Sequence, residues 1–250
     1  MTASELSARQ RDILRLVEQS GFATIEDLAA RFEVTTQTIR RDVNDLRDRA
    51  LLTRVHRGVR PNEGARPYAS RAGEQQGEKA ALAREVLRLI PPGASVSIGL
   101  GSTPAEVARL LAAAGPRDVI TNNLVAARHL WDAEDIQLSI CGGTVRDRSV
   151  SGSAAVEFFA GFRVDFAIFG VAGVDEDGAL LDFRTEEARA RAAMQAHARR
   201  AVLVLDQVKF LRRAPARGGW LTEADFVVTN APPPEALAAG MRDGALVLAG

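Results

Sequence analysis

Thr35-Thr36-Gln37-Thr38-Ile39-Arg40-Arg41-Asp42-Val43-Asn44-Asp45-Leu46 reads as a helix with a marked start. A threonine oxygen at position 35 can accept from an orphan backbone N–H, as an N-cap does. Ile39, Val43 and Leu46 recur at helical spacing and share one face, which needs a core. Gln37, Arg41 and Asn44 point the other way, with Thr38 and Arg40 beside them. Gln, Asn, Thr and Arg side chains can hydrogen-bond base edges and phosphates. The stretch is therefore a candidate DNA recognition helix. An ordinary amphipathic helix with a solvated face is the other reading.

The neighbours favour the first. Glu5 to Gln19 predicts a helix with an apolar stripe of Leu6, Ile13, Leu14 and Val17, stopped by Ser20-Gly21. Thr24 can cap a short helix carrying Ile25, Leu28, Ala29 and Phe32, and Glu33-Val34 is a tight connection into the quoted stretch. Two short helices joined in this way, the second polar outward, match helix-turn-helix geometry. Leu51 to Val59 then alternates around a turn and predicts a hairpin, or wing, placing Arg54, His56 and Arg57 near a phosphate backbone. From Ile39 to Arg60 there are seven Arg against three Asp, a basic patch in a chain of formal net charge zero.

Pro61 to Gly73 loses apolar periodicity and reads as a linker. The expected organisation is a DNA-binding domain over 1–60, a linker over 61–73 and a second domain over 74–250. In the second domain short apolar strands alternate with helices, as in an α/β fold with a largely parallel sheet. Helices are expected over Glu78–Ile90, Pro104–Ala114, Asn123–Trp131 and Glu186–Ala198. Strands are expected over Ser95–Leu100, Val119–Thr121, Ile136–Cys141, Phe166–Gly170, Ala201–Leu205, Phe226–Thr229 and Leu246–Leu248.

In such sheets ligands sit beyond the carboxyl ends of the strands. Those ends are small and polar here: Gly99-Leu100-Gly101-Ser102-Thr103-Pro104, Thr121-Asn122-Asn123, Gly142-Gly143-Thr144, Gly170-Val171-Ala172-Gly173 and Asp206-Gln207-Val208-Lys209. In the first, the glycines allow a tight turn, Ser102 or Thr103 can cap the next helix, and its N-terminus offers an anion site. It lacks the spacing of a Walker or dinucleotide loop, and a small phosphate monoester fits better than a nucleotide. The chain has two lysines, Lys79 and Lys209, and Lys209 is a natural phosphate counter-charge. Asn122, Asp206 or Glu187 can bind hydroxyls.

Several classes are disfavoured. One cysteine, Cys141, allows no internal disulfide, and with no apolar run of membrane-spanning length the expected compartment is the cytoplasm. His56, His129 and His197 are scattered, so no metal site and no cofactor are expected, and no nucleophile elbow is present.

Thr35-x-x-Thr38-Ile39-Arg40-Arg41-Asp42 followed by His56-Arg57-Gly58 resembles the DeoR family of bacterial transcriptional regulators. Gly101-Ser102-Thr103, Thr121-Asn122, Cys141-Gly142-Gly143, Gly170 to Gly173, Glu187 and Asp206-x-x-Lys209-Phe210 extend the resemblance along the second domain. Gly101-Ser102-Thr103-Pro104, Gly178-Ala179-Leu180-Leu181-Asp182-Phe183 and Ala231-Pro232-Pro233-Pro234 most resemble its glycerol-3-phosphate regulators. Arg57 stands where the family usually has a glycine, and Gln207-Val208 where it usually has His-Ser.

The resemblance implies a winged helix-turn-helix joined to a sensor domain related in fold to ribose-5-phosphate isomerase. It also implies a repressor of sugar or glycerol metabolism genes, homo-oligomers on double-stranded operator DNA, and release by a small phosphorylated effector such as glycerol 3-phosphate or a sugar phosphate. Thr35, Thr36, Gln37, Thr38, Arg40, Arg41, Asn44, Arg54, His56 and Arg57 are the expected DNA-binding residues. Gly99, Gly101, Ser102, Thr103, Thr121, Asn122, Asn123, Gly142, Gly143, Gly170, Gly173, Glu187, Asp206 and Lys209 are the expected effector-binding residues. The alternative is an enzyme, a sugar-phosphate isomerase or deaminase with an added DNA-binding head. Related isomerases carry an Asp-Gly-Ala-Asp motif, but the comparable Gly170 to Asp177 has a different spacing, so no enzymatic activity is expected.

Overall fold

The computed structural model describes residues 6–20, 22–48, 51–55, 58–61, 68, 73, 75–115 and 118–250. The chain divides into two compact units, Met1–Pro67 and Tyr68–Gly250.

The first unit contains helix α1 (Ala8–Ser20), strand β1 (Ala23–Thr24), helices α2 (Ile25–Arg31) and α3 (Thr36–Asp48), and strands β2 (Leu52–Val55) and β3 (Gly58–Pro61). Helix α1 starts later than Glu5 because Ser7 and Gln10 cap it reciprocally. The Ser7 hydroxyl accepts the Gln10 N–H at 3.1 Å, and Gln10 Oε1 accepts the Ser7 N–H at 3.0 Å. Thr24 caps α2 as expected, accepting from the Asp27 N–H at 3.0 Å. The chain then turns at Glu33, whose φ is 52°.

The core of this unit is Ile13, Val17, Leu28, Ile39, Val43, Leu46, Leu52 and Val59. Burial of each large aliphatic contributes about 1.5–3 kcal/mol. The wing hairpin forms, and β1 joins it as a third strand in the order β1-β3-β2. That third strand also explains Gly58. A Cβ there would lie 2.4 Å from the Ala23 carbonyl oxygen and 2.6 Å from the Phe22 ring. The turn residues His56 and Arg57, and most of the expected linker, lie outside the described residues.

The second unit is built on seven parallel strands: β4 (Val96–Ile98), β5 (Asp118–Thr121), β6 (Gln137–Ile140), β9 (Val164–Phe169), β12 (Ala198–Val204), β14 (Phe226–Thr229) and β15 (Leu246–Leu248). Their order is β15-β14-β12-β9-β4-β5-β6. Alternate residues of one strand feed opposite faces. Val202 and Val204 join one apolar cluster; Ala201, Leu203 and Leu205 join the other. Helices α4 (Gln76–Leu89), α5 (Ser102–Leu111) and α6 (Leu124–Leu130) cover the first face through Leu82, Val86, Val107, Leu111 and Leu130. Helices α7 (Ser153–Ala160) and α8 (Thr185–Ala196) cover the second through Phe159 and Met194. The chain adds strands outward from β4 through β5 and β6, then returns to β4's other side with β9. The strand order therefore reverses between β4 and β9, where such sheets open a crevice.

Several elements depart from the sequence expectation. Helix α7 and two small antiparallel groups are additional. One group is the hairpin β7 (Val145–Arg146) with β8 (Ser149–Val150). The other is a sheet in the order β10-β11-β13, from Gly173–Val174, Ala179–Asp182 and Ala216–Trp220. Strand β12 begins at Ala198 rather than Ala201, because Ala198 already pairs with Val164 of β9. Among the described residues no helix is long and apolar enough to cross a membrane.

Candidate functional sites

The first surface belongs to α3. Ile39, Val43 and Leu46 are buried. Thr36, Gln37, Arg40 and Arg41 are exposed, and Thr38 and Asn44 are half-buried. Thr35 Oγ1 accepts the Thr38 N–H at 3.2 Å and lies 2.9 Å from the Thr38 hydroxyl, so both threonines help start the helix. The acids of the stretch face α1. Asp42 is buried and accepts from Arg9 Nε at 2.6 Å, while Asp45 accepts from Gln10 at 3.3 Å. The outward face is thereby more basic than the residue count suggests. Arg54 on β2 is exposed, and so is Arg60 on β3, which the sequence reading passed over. A Gln, Arg and Asn row on a helix, flanked by arginines, can hydrogen-bond bases and neutralise phosphates.

The second surface is a cleft at the strand reversal of the parallel sheet. It holds about 270 Å³, part of it open to solvent. Gly99, Leu100, Asn122, Phe159, Phe169, Gly170, Asp182, Glu187, Arg191 and Met194 line it. Of the expected effector residues, Gly99, Asn122, Gly170 and Glu187 are thus brought together. Gly170 also abuts the start of α5, since a Cβ there would lie 3.6 Å from the Pro104 Cδ.

Neither Ser102 nor Thr103 caps α5, because both already lie in its first turn. The cap is Gly101, at φ +115°, and no side chain accepts from the helix start. The first-turn N–H groups therefore keep their capacity for an anion. The next helix is closed instead. Asn123 Oδ1 accepts from Val125 N–H at 3.1 Å and Ala126 N–H at 3.3 Å.

Some of the expected effector residues hydrogen-bond within the fold. Asn123 Nδ2 donates to the carbonyls of Gly99 and Gly101, both at 3.0 Å, which commits both ends of this buried amide. Thr121 is fully buried; its hydroxyl donates to the Ile98 carbonyl at 2.7 Å and accepts from the Asn123 N–H at 3.0 Å. These two residues shape the glycine loop. Gly173 is glycine because of packing: a Cβ there would lie 2.0 Å from the Arg212 carbonyl oxygen. Gly142 and Gly143 are exposed beyond edge strand β6. Asp206 is buried at the end of β12, and Lys209 is half-buried in the single 3-10 turn that follows. None of these residues lines the cleft.

The cleft also holds a pair that sequence reasoning missed. Arg191 donates from Nε and Nη2 to Asp182 Oδ2, at 3.0 and 2.9 Å, and its guanidinium lies 5.7 Å from the Phe169 ring centre. Burial pushes the Asp182 carboxyl above its ordinary value, against the pull of Arg191. The acidic run Asp175-Glu176-Asp177 lies between β10 and β11, and none of its carboxylates lines the cleft. Among the described residues no group of His, Cys, Asp and Glu is placed to hold a metal ion.

The hairpin β7–β8 connects the cleft to the start of this unit. Asn122 Nδ2 donates to the Val150 carbonyl at 2.7 Å, and the Val150 N–H donates to the Asn122 carbonyl at 2.9 Å. At the hairpin's turn, Asp147 Oδ1 accepts the Tyr68 N–H at 2.7 Å, and the Arg148 guanidinium lies 5.2 Å from the Tyr68 ring centre.

The sequence profile of the DeoR-like helix-turn-helix domain matches residues 9–64, and that of the DeoR C terminal sensor domain matches residues 74–231. The chain is 38% identical over 230 residues to the glycerol-3-phosphate regulon repressor of Escherichia coli (strain K12), covering 90% of this chain and 91% of the other. It is 33% identical over 249 residues to the HTH-type transcriptional repressor CsqR of the same organism, covering 97% and 95%. Among solved structures it is similar to ribose 5-phosphate isomerase A from Methanocaldococcus jannaschii, at 20% identity and a TM-score of 0.41 over 55% of each chain. That last likeness is partial and says nothing of chemistry. The capped reading helix, its wing and the α/β unit thus belong together: the chain is a DNA-binding transcriptional regulator of the DeoR family.

Proposed function

We propose that this regulator is a repressor released from its operator by a small phosphorylated polyol or sugar, with glycerol 3-phosphate the first candidate. The observation that carries the effector class is the uncapped start of α5 beside the cleft. A phosphate there meets backbone N–H groups and the positive helix end. The likeness to glycerol-3-phosphate regulon repressors supports the particular polyol.

In this reading residues 1–60 bind DNA, residues 61–73 link and residues 74–250 sense. Gln37, Arg41 and Asn44 read the major groove, and Thr36, Arg40, Arg54 and Arg60 hold phosphates, joined by His56 and Arg57 at the wing's tip. The protein works in the cytoplasm as a homo-oligomer, whose symmetry places two heads on two half-sites. Effector binding shifts the population only so far as it favours the arrangement that does not fit DNA. Hairpin β7–β8 offers a route, because it holds Asn122 at one end and Tyr68 at the other.

The test is a gel shift on the promoter beside the protein's own gene, at low salt, with and without glycerol 3-phosphate. A retarded band that the effector removes is expected. A band unchanged by any phosphorylated polyol or sugar would contradict the effector reading.

A further inference from the structure

The two flanks of α3 carry opposite charge. At about 100° per residue, Thr36, Arg40 and Arg47 run along one side of the row Gln37, Arg41 and Asn44, while Thr38, Asp42 and Asp45 run along the other. The major groove of B-DNA is about 12 Å wide, and a helix with its side chains is about 10–12 Å across. A helix lying in that groove therefore has a wall of phosphates on each side. The flank with Arg40 suits such a wall. The flank with Asp42 and Asp45, taken alone, repels one.

Helix α1 changes that second flank. Arg9 Nε donates to Asp42 Oδ2 at 2.6 Å, and Gln10 Nε2 donates to Asp45 Oδ2 at 3.3 Å. Both donors stand in the first turn of α1, so this end of α1 lies along the acidic flank. Asp42 is buried, whereas the Arg9 side chain is 39% exposed. A guanidinium has five N–H donors and keeps its charge at any pH a protein survives. One of them holds the acid. Nη1 and Nη2 keep the other four, and neither nitrogen has a hydrogen-bond partner among the described residues. An arginine on an open surface swings freely; this one is pinned beside the outward row by an acid on the same helix that carries that row.

We propose that Arg9 is a DNA phosphate contact supplied by α1, with Asp42 as its positioning residue, and that it holds the groove wall which the acidic flank of α3 would otherwise repel. The inference rests on α3 as the reading helix and adds to it a binding residue from outside the helix-turn-helix pair. It also gives the buried acid a purpose: Asp42 aims a cation at DNA.

Fluorescence anisotropy of the full chain tests this on two labelled duplexes of equal length, one from the promoter beside its own gene and one scrambled, between about 50 and 200 mM salt. Each phosphate contact adds about 0.9 to the slope of log affinity against log salt. Arg9→Gln keeps a donor for Asp42 but loses the charge. It should bind both duplexes more weakly by the same factor, and over that salt range it should lose about three- to fourfold less affinity than wild type. Arg9→Lys keeps the charge and should keep the wild-type slope. Arg11→Gln removes the same charge from an exposed residue about 200° further round α1, and should also keep the slope. Should Arg9→Gln fail to melt cooperatively, Arg9→Gln combined with Asp42→Asn removes the buried acid as well and gives the same reading of the slope. An unchanged slope without the Arg9 charge leaves Arg9 a brace between α1 and α3 and overturns the phosphate contact, as does an equal fall in Arg11→Gln or Arg9→Lys. Arg41→Ala, measured beside them, separates this from the reading of α3. If it changes binding to neither duplex, α3 does not face DNA and both fail; if it weakens binding while Arg9→Gln keeps the slope, only the assignment of Arg9 fails.

Discussion

Helices α3 and α5 each begin at a surface with work to do, and they begin in opposite ways. At α3 a side chain closes the start: Thr35 accepts the Thr38 N–H, and Gln37, Arg40 and Arg41 are exposed along the helix. At α5 the start is Gly101, which has no side chain to offer and holds a φ of +115°. The first arrangement frees side chains to meet a macromolecule whose sequence must be told apart. The second leaves backbone N–H groups, which suit a small anion and tolerate many carbon skeletons. Neighbouring α6 sharpens the contrast, since Asn123 closes its start with two hydrogen bonds while its amide nitrogen braces the open loop.

Breaking the support of α3 should have the largest effect. Ile39 is fully buried, so Ile39→Ala should cost about 2–5 kcal/mol of the first unit's stability. A gel shift should lose the specific band, while calorimetry still detects glycerol 3-phosphate. Loss of both would mean that the two units do not respond separately. Next comes the reading face itself. Arg41→Ala should weaken specific binding by about 1–3 kcal/mol if Arg41 meets a base. An equal loss on all sequences would assign Arg41 to a phosphate instead.

The two helix starts can then be set against each other. Gly101→Ala places a side chain in a backbone region nearly reserved for glycine, at a strain of about 1–3 kcal/mol, and should lower effector affinity. Thr35→Ala removes a cap worth about 1 kcal/mol and should lower DNA affinity without touching effector affinity. A Gly101 variant that binds effector normally would remove the open helix start from the account.

The smallest effect is expected at the other end of the same central strands, where Asp165 lies at the start of β9 and Ser95 precedes β4. The Ser95 backbone N–H and hydroxyl donate to Asp165 and, with a weaker pull from Arg199, hold its carboxyl below the usual range. A depressed carboxyl contributes stability that is present above its unfolded value and lost as pH falls through the folded one. Asp165→Asn should therefore melt slightly below wild type at neutral pH, and the gap should close in acid below about pH 4. A gap that grows in acid would have the wrong sign.

The same contrast explains what could be read without coordinates. The α3 face was legible because side-chain type and helical spacing carry its chemistry, and Thr35 proved to be the cap that its position suggested. The parallel sheet was legible because its buried strands are short apolar runs. At α5 the usual polar capping signals, Ser102 and Thr103, pointed one or two residues too far, because glycine does the capping there. Thr121 and Asn123 carry the right chemistry for a ligand, yet the fold turns their polar atoms inward. The pair Asp182–Arg191 gave no signal. Its members sit on a strand and a helix of ordinary composition, and only folding brings the salt bridge to the cleft wall.

The central claim is that DNA binding and effector binding oppose each other. Linkage makes this reciprocal: an effector that lowers operator affinity must itself bind the operator complex more weakly, by the same factor. The most direct test is calorimetric titration of glycerol 3-phosphate into the free protein and into its operator complex. Weaker binding to the complex is expected, by about 5- to 150-fold for a typical coupling. Equal affinities for the two forms would contradict it.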